Sequence, residues 1–374
     1  MMKALKEEVI YINHTRDLEL LVGQLKEYSC LAVDTESNGL YVYQEQVCLI
    51  QISTSDCDYL IDPLAISDLS ALKEIFEDIN IEKVFHAAEY DVITMKRDYG
   101  FIVNNIFDTM IAGRILGMQK LGLAAMLETF FNVQVDKRFQ KSDWGKRPLP
   151  VEQIDYARLD THYLIDLRNI LYSQLEQKNR LELAHEDFSR LTHVSIPAGL
   201  NGGTKCWKIA GKYDISPQQA AVLQELCEYR EEKAKSINLP LFKVLSNQTL
   251  LQIALETPQT REALSHIKGM TPRNIRRHAF AILKAVQIGL RAEPLYRPSS
   301  TKPGADFLLR LENLRNWRKV TARQIGVESD IVLPRDILEI IARKNPQNQE
   351  ELSLIMQDIP WRYKQYSHQI IKIL

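Results

Sequence analysis

A chain of 374 residues with 45% apolar and 25% charged residues has the composition of a soluble globular protein of two or three domains, large enough to fold without a disulfide or metal staple. Its five cysteines stand apart, with no CxxC and no Cys/His cluster, which excludes a zinc module and a disulfide framework, and no apolar run reaches the ~18 residues of a membrane helix. The net charge of −1 hides an asymmetry: residues 1–208 sum to −9 and residues 209–374 to +8, so the first part suits cations and the second suits phosphates.

Met1 to Glu8 carries lysines and no apolar segment, which reads as a cytosolic start and predicts a cytoplasmic location. Three short strand-like segments follow, the apolar run Cys30–Val33, then Val47–Ile52 and Asp58–Ile61. Gly39 and its polar neighbours between the first two allow a hairpin. Leu69, Leu72, Ile75, Phe76 and Ile79 recur at helical spacing and predict a helix over 67–79. Lys83–Phe85 is a further strand ending at His86, and a helix through Asp91, Met95 and Tyr99 should stop at Gly100. A meander followed by β-α units predicts a mixed sheet with helices on its faces. Gly145, Pro148 and Pro150 forbid a helix through 139–150, and a helix from about Val151 carries Tyr156 and Asp160.

Beyond a linker at 196–210 the chain is helical. Ser216-Pro217 is a cap with proline at the first helical position. Pro294, Pro298 and Pro303 mark a second linker at 293–304. The resulting division is 1–195, 211–292 and 305–374. The last two segments share a degenerate repeat. Tyr229-Arg230 pairs with Trp317-Arg318 in the first helix of each, and Leu239-Pro240 is set against Leu333-Pro334.

The chemistry lies in the acidic part. Asp34 and Glu36 are two apart where a strand ends, so both side chains point to one side of the sheet. Two crowded carboxylates repel unless a cation lies between them. Oxygen ligands of this kind suit Mg²⁺ or Mn²⁺. Tyr156 and Asp160 are four apart and share a helix face. A phenol with a pKa of ~10 is a poor base at neutral pH, so its expected task is to orient an attacking water. Spacing alone leaves Asp91 in competition with Asp98, Asp108 and Asp155. His86 reads as a hydrogen-bonded structural histidine.

Val33-Asp-Thr-Glu36, His86-Ala-Ala-Glu-Tyr-Asp91 and Tyr156-Ala-Arg-Leu-Asp160 resemble the three exonuclease motifs of the DEDD superfamily, tyrosine subclass. Ser142-Asp-Trp-Gly-Lys-Arg-Pro-Leu149 is similar to a segment typical of the ribonuclease D family, with Gly145 where serine is usual. The helical repeats resemble HRDC modules. The resemblance implies an α/β RNase H-like nuclease domain followed by two all-α HRDC-like bundles. It implies Asp34, Glu36, Asp91 and Asp160 as metal ligands for two divalent ions, Mg²⁺ or Mn²⁺, and Tyr156 as the water-orienting residue. It also implies 3′→5′ removal of nucleoside 5′-monophosphates from RNA, precursor tRNA 3′ ends among them. A DNA-directed exonuclease and a catalytically retired RNA-binding protein are the alternatives. All five site residues stand in place, and no GxxxxGK[ST] loop supports a helicase.

RNA contacts are expected first from Lys268, Arg273, Arg276 and Arg277, where a loop opens a helix. A weaker basic stripe runs through Arg310, Arg315, Arg318, Lys319 and Arg323. Trp361 to Tyr363 offers aromatic rings either for stacking on bases or, more often for such a segment, for core packing in a terminal helix. Trp144, Lys146 and Arg147 could guide a 3′ end toward the carboxylates or equally serve to pack their loop. No obligate protein partner is evident.

Overall fold

The computed structural model describes residues 9–196, 206–297 and 303–374. The chain divides into two compact units: Met1–Ser37, Val47–Ser195 and Lys302–Leu374 form one, and Asn38–Gln46 with Ile196–Thr301 form the other. Part of each expected linker lies outside the described residues.

The first unit is built on a six-stranded sheet. In chain order its strands are β1 (Val9–Ile12), β2 (Cys30–Ser37), β3 (Val47–Ser53), β4 (Asp58–Ile61), β5 (Glu82–Phe85) and β6 (Ile106–Asp108), arranged β1-β4-β3-β2-β5-β6. β2, β3 and β4 form the antiparallel meander, while β1 on β4, β5 on β2 and β6 on β5 are parallel. The central strand β3 is buried at every residue, which is why its sequence is nearly continuous in apolar residues, with Gln51 and Ser53 the polar exceptions.

Helices α1 (Thr15–Leu25), α2 (Lys73–Glu77) and α3 (Glu89–Tyr99) close a core around Leu18, Leu25, Phe76, Met95 and the strand residues Val33 and Ile50. Helices α4 (Thr109–Leu116), α5 (Leu123–Phe131), α6 (Val151–His162), α7 (Leu164–Gln177) and α8 (Leu181–Thr192) complete the domain, and Leu164, Leu167, Leu171 and Phe188 pack with Val84 and Phe107 in a second core. The helix expected over 67–79 is shorter. The Asp68 carboxylate accepts from Ser70 N (2.8 Å), a 3₁₀ turn covers Ser70–Leu72, and the Asp78 carboxylate takes Asn80 N (2.8 Å) just past α2. Both aspartates divert the backbone from helical bonding at the ends.

The other unit holds α9 (Cys206–Ala210), α10 (Pro217–Ser236), α11 (Leu241–Val244), α12 (Asn247–Glu256), α13 (Arg261–Ser265) and α14 (Pro272–Arg291). Ser216 and Gln219 form a reciprocal capping box at α10. The segment 38–46 belongs here: Tyr43 joins this core, its hydroxyl donates to Glu231, and Lys243 Nζ sits 4.2 Å from the Tyr41 ring.

The C-terminal module consists of α15 (Ala305–Ile325), α16 (Ser329–Val332), α17 (Arg335–Lys344), α18 (Gln349–Ile355) and α19 (Pro360–Ile373). It repeats the internal geometry of α10–α14. Arg230 Nη1 reaches the Leu245 carbonyl (3.0 Å) and Arg318 Nη1 the Leu333 carbonyl (2.8 Å), each fifteen residues ahead. The repeat register therefore matches Leu245-Ser246 to Leu333-Pro334. Leu239-Pro240, which the sequence set against Leu333-Pro334, instead opens the short α11.

The C-terminal module packs onto the nuclease domain within one unit. The Arg362 side chain is fully buried and donates to Glu186 Oε1 (2.8 Å), Asp187 Oδ2 (2.9 Å) and the Ile331 carbonyl. Glu186 Oε2 accepts in turn from the backbone N–H of Trp361 (2.8 Å), at the start of α19. Arg114 holds Glu328 and Asp330. The 361–363 segment thus packs as part of a terminal helix, the second of the two readings its sequence allowed; Arg318 is structural, contrary to the RNA contact expected of it, and Arg310 is tied to the Ala342 carbonyl (2.9 Å).

Candidate active site

β2 runs past the point expected from its apolar residues and carries Asp34, Thr35 and Glu36 in extended conformation, with a register shift against β3 between Glu36 and Ser37. Alternation sends Asp34 and Glu36 to one side. α6 packs across β2, β3 and β4 and brings Asp160 to them. Carboxylate oxygens of Asp34, Glu36 and Asp160 lie within 4.8 Å of one another, all three partly open to solvent.

Asp91 sits in the first turn of α3, buried, with one oxygen accepting from the Thr35 hydroxyl. The turn that delivers it is fixed from β6: the Asp108 carboxylate accepts from Ala87 N (3.2 Å) and Ala88 N (2.7 Å) while capping α4 through Met110 N (2.8 Å) and Ile111 N (3.0 Å). Ala87 takes a left-handed φ of 65° there, a conformation that a non-glycine residue keeps only when its surroundings hold it. His86 bonds the Thr109 hydroxyl (2.9 Å), and burial pushes its pKa down to about 4, so the ring is neutral.

The competing aspartates have other work. Asp108 is the turn brace just described, Asp98 accepts from Val47 N (2.8 Å) and pairs with Arg97, and Asp155 faces solvent.

Four carboxylates gathered this way are electrostatically frustrated. Burial, followed by Asp91, Asp160 and Glu36, raises Asp34 well above the carboxylate range; burial, followed by Asp160 and Asp91, raises Glu36. Burial raises Asp91 to about 7, and burial with the Asp91 charge raises Asp160 to about 7. Among the described residues, the groups that chiefly shift Asp34, Glu36 and Asp160 are carboxylates and none is a cationic side chain. A divalent cation would supply the missing positive charge, and the donor set is all oxygen, as hard cations require. Tyr156 stands beside the cluster. Burial and the charges of Asp160, Glu36 and Asp34 drive its pKa further above 10, so its hydroxyl stays protonated.

The far side of α6 is pinned by a network that the sequence did not signal. Asp58 of β4 is buried and accepts from His162 Nδ1 (2.7 Å) and from Ser53 Oγ (2.7 Å), while Ser53 Oγ also bonds Thr161 Oγ1 (2.7 Å). Arg158 Nε lies 3.5 Å from the same carboxylate. At 3.6 residues per turn, His162 and Arg158 face away from Tyr156 and Asp160, so these bonds resist rotation of the helix about its axis.

Of the two readings open for Trp144 and Arg147, the structure shows loop packing and not an RNA guide. Trp144 is 1% exposed and packs with Cys48, Leu49, Leu60 and Ala157, its ring 6.1 Å from that of Tyr156. Arg147 makes a bidentate pair with Asp62 (2.6 and 2.7 Å) and donates to the Cys48 carbonyl (2.6 Å). Both anchor the 139–150 loop behind Tyr156. Lys146 remains exposed, 4.0 Å from Asp143.

Comparison with known proteins agrees with this geometry. Residues 9–176 match a family model described as 3′–5′ exonuclease, and residues 219–286 and 308–374 each match the HRDC domain. The chain is 28% identical to ribonuclease D of Bartonella henselae over 97% of its own length and 89% of the relative's. It is 30% identical to the exosome complex exonuclease RRP6 of Saccharomyces cerevisiae over 84% of its length, but spans only 46% of that relative. Among solved structures, the catalytic core of RRP6 from Trypanosoma brucei superposes with a TM-score of 0.65 at 27% identity, covering 78% of this chain and 84% of that one. Escherichia coli RNase D, at 23% identity, shares the fold over 94% of this chain and 99% of its own with a TM-score of 0.69. No described helix is long and apolar enough to cross a membrane. The motifs, the mixed sheet and the paired helical modules together place the chain in the DEDD 3′–5′ exonuclease family, in its ribonuclease D branch with HRDC domains.

Proposed function

We propose that this protein is a cytoplasmic, divalent-metal-dependent 3′→5′ exoribonuclease that shortens precursor tRNA and other small structured RNAs, releasing nucleoside 5′-monophosphates. The observation that carries the reading is the set of Asp34, Glu36, Asp91 and Asp160, all held at raised pKa by burial and, for Asp34, Glu36 and Asp160, by the charges of their neighbours in the set. These four would hold two ions, Mg²⁺ or Mn²⁺, which when bound would favour the attacking water and stabilise the leaving oxygen.

The chain's own groups account for the remainder. Tyr156 keeps its proton, so it positions the attacking water by a hydrogen bond and does not abstract from it. Asp58 and His162 hold the helix that presents Tyr156 and Asp160. Trp144 and Arg147 keep the adjoining loop in place. Lys146, Lys268, Arg273, Arg276 and Arg277 are exposed cations suited to phosphates. Relatives named ribonuclease D support RNA as the substrate class.

The test is degradation of matched RNA and DNA bearing single-stranded 3′ ends, with wild type and Asp34→Asn, in Mg²⁺ or Mn²⁺ and in EDTA. The expected result is faster loss of RNA, 5′-monophosphate products, and no cleavage by Asp34→Asn despite retained RNA binding. Faster loss of DNA, or cleavage by the variant, overturns the reading.

A further inference from the structure

Helix α14 carries Arg273, Arg276, Arg277, Lys284 and Arg291 and no carboxylate. At 3.6 residues per turn these five project within an arc of roughly 100°, opposite the buried Ile275, Ile282 and Val286. Among the described residues none of the five makes an ion pair. In the middle of the arc stands Phe280, one turn from Arg276 and Arg277 on one side and from Lys284 on the other. It is 86% exposed, more than any other large apolar side chain described.

A single exposed apolar residue is ordinary. The setting of this one is not, because an aromatic face flanked by unpaired cations matches a nucleic-acid strand: bases have a π-face to stack and phosphates have charge to neutralise. A duplex hides its base faces, so the match is to an unpaired strand. An acidic peptide could satisfy the cations, but it has no general counterpart to an isolated ring that needs a flat apolar surface.

We propose that this face of α14 is a track for single-stranded RNA, with Phe280 stacking on a base and Arg276, Arg277 and Lys284 holding the phosphates beside it. The proposal rests on RNA being the substrate, as argued above. Base stacking on an aromatic ring contributes about 1–3 kcal/mol, which corresponds to roughly 5- to 150-fold in affinity.

The experiment measures binding of a fluorescent oligoadenylate to the full chain across a salt series, in EDTA to prevent cleavage. Phe280→Ala should weaken binding at least 5-fold without changing the salt slope, because no counterion is released at a phenyl ring. Arg276→Ala combined with Arg277→Ala should lower the slope. Phe280→Trp should keep the affinity and gain an indole emission that RNA quenches. If wild type binds and Phe280→Ala binds equally well, or if a matched duplex competes as well as the single strand, the stacking role is wrong. If wild type does not bind RNA at all, the substrate reading fails first and the track fails with it.

Discussion

Replacing Asp160 by asparagine should abolish cleavage and yet stabilise the metal-free protein. In the folded state burial and the Asp91 charge raise Asp160 from 3.8 to about 7. The folded state therefore keeps a proton that the unfolded chain has already released. Stability from this group is fully present below pH ~4 and is lost as pH rises toward 7. Across that interval the loss is about 4 kcal/mol at most, since one pKa unit is ~1.4 kcal/mol. The cleft is partly open to water at Asp160, and screening there brings the figure nearer ~2 kcal/mol. The amide of the Asp160→Asn variant is neutral at every pH and carries no such loss. For a unit of this size each kcal/mol moves Tm by ~2–4 °C, so at pH 8 in EDTA the variant should melt ~4–8 °C above wild type. Near pH 4 the difference should disappear. Wild type should regain the margin when Mn²⁺ is added, because cation binding stabilises the state it binds. Scanning calorimetry at both pH values, with and without metal, decides the matter. A variant that melts below wild type at pH 8 in EDTA, or a wild type that Mn²⁺ leaves unmoved, would refute the electrostatic reasoning.

Other outcomes follow from named contacts. Asp58→Asn should lower the maximal cleavage rate and raise the Mn²⁺ concentration needed for half-maximal activity, since it loosens α6 behind Tyr156 and Asp160; an unchanged metal midpoint in a folded variant would reduce the network to ordinary packing. Arg362→Met should cost ~3–5 kcal/mol in denaturant unfolding, because it leaves the buried Glu186 without its cation, and adding Glu186→Gln should restore part of the loss. A loss confined to the single variant's activity, with no change in unfolding, would contradict the docking role. Arg147→Ala should slow cleavage and leave the salt dependence of RNA binding unaltered, since its guanidinium is engaged by Asp62; a reduced salt slope would return Arg147 to the RNA path.

The parts of the site that were legible in the sequence are those set by local periodicity. Two residues along a strand and four along a helix fix a shared face, so Asp34 with Glu36 and Tyr156 with Asp160 could be paired before any fold was known. Asp91 depends on a turn held by Asp108 from a neighbouring strand, and neither Ala87 nor Asp108 announces that role. Trp144 and Arg147 looked available to RNA because a polar, proline-rich loop reads as surface; whether its one tryptophan turns inward is decided by the small residues it meets, Cys48 and Ala157. The helical repeat was visible through its aromatic–Arg pairs, but two Leu-Pro dipeptides offered a false register. Only the carbonyls reached by Arg230 and Arg318 show which one corresponds. The clustering of 305–374 with the nuclease domain depends on a buried arginine reaching 176 residues back to Glu186, a separation beyond any local pattern.

The most direct test of the central claim is a crystal of the protein soaked in Mn²⁺ and a nucleoside 5′-monophosphate, read by anomalous scattering. Two manganese peaks about 3.5–4 Å apart, bounded by Asp34, Glu36, Asp91 and Asp160 with the Tyr156 hydroxyl turned toward the phosphate, are the predicted result. A cleft without manganese, or ions bound elsewhere on the chain, would contradict it.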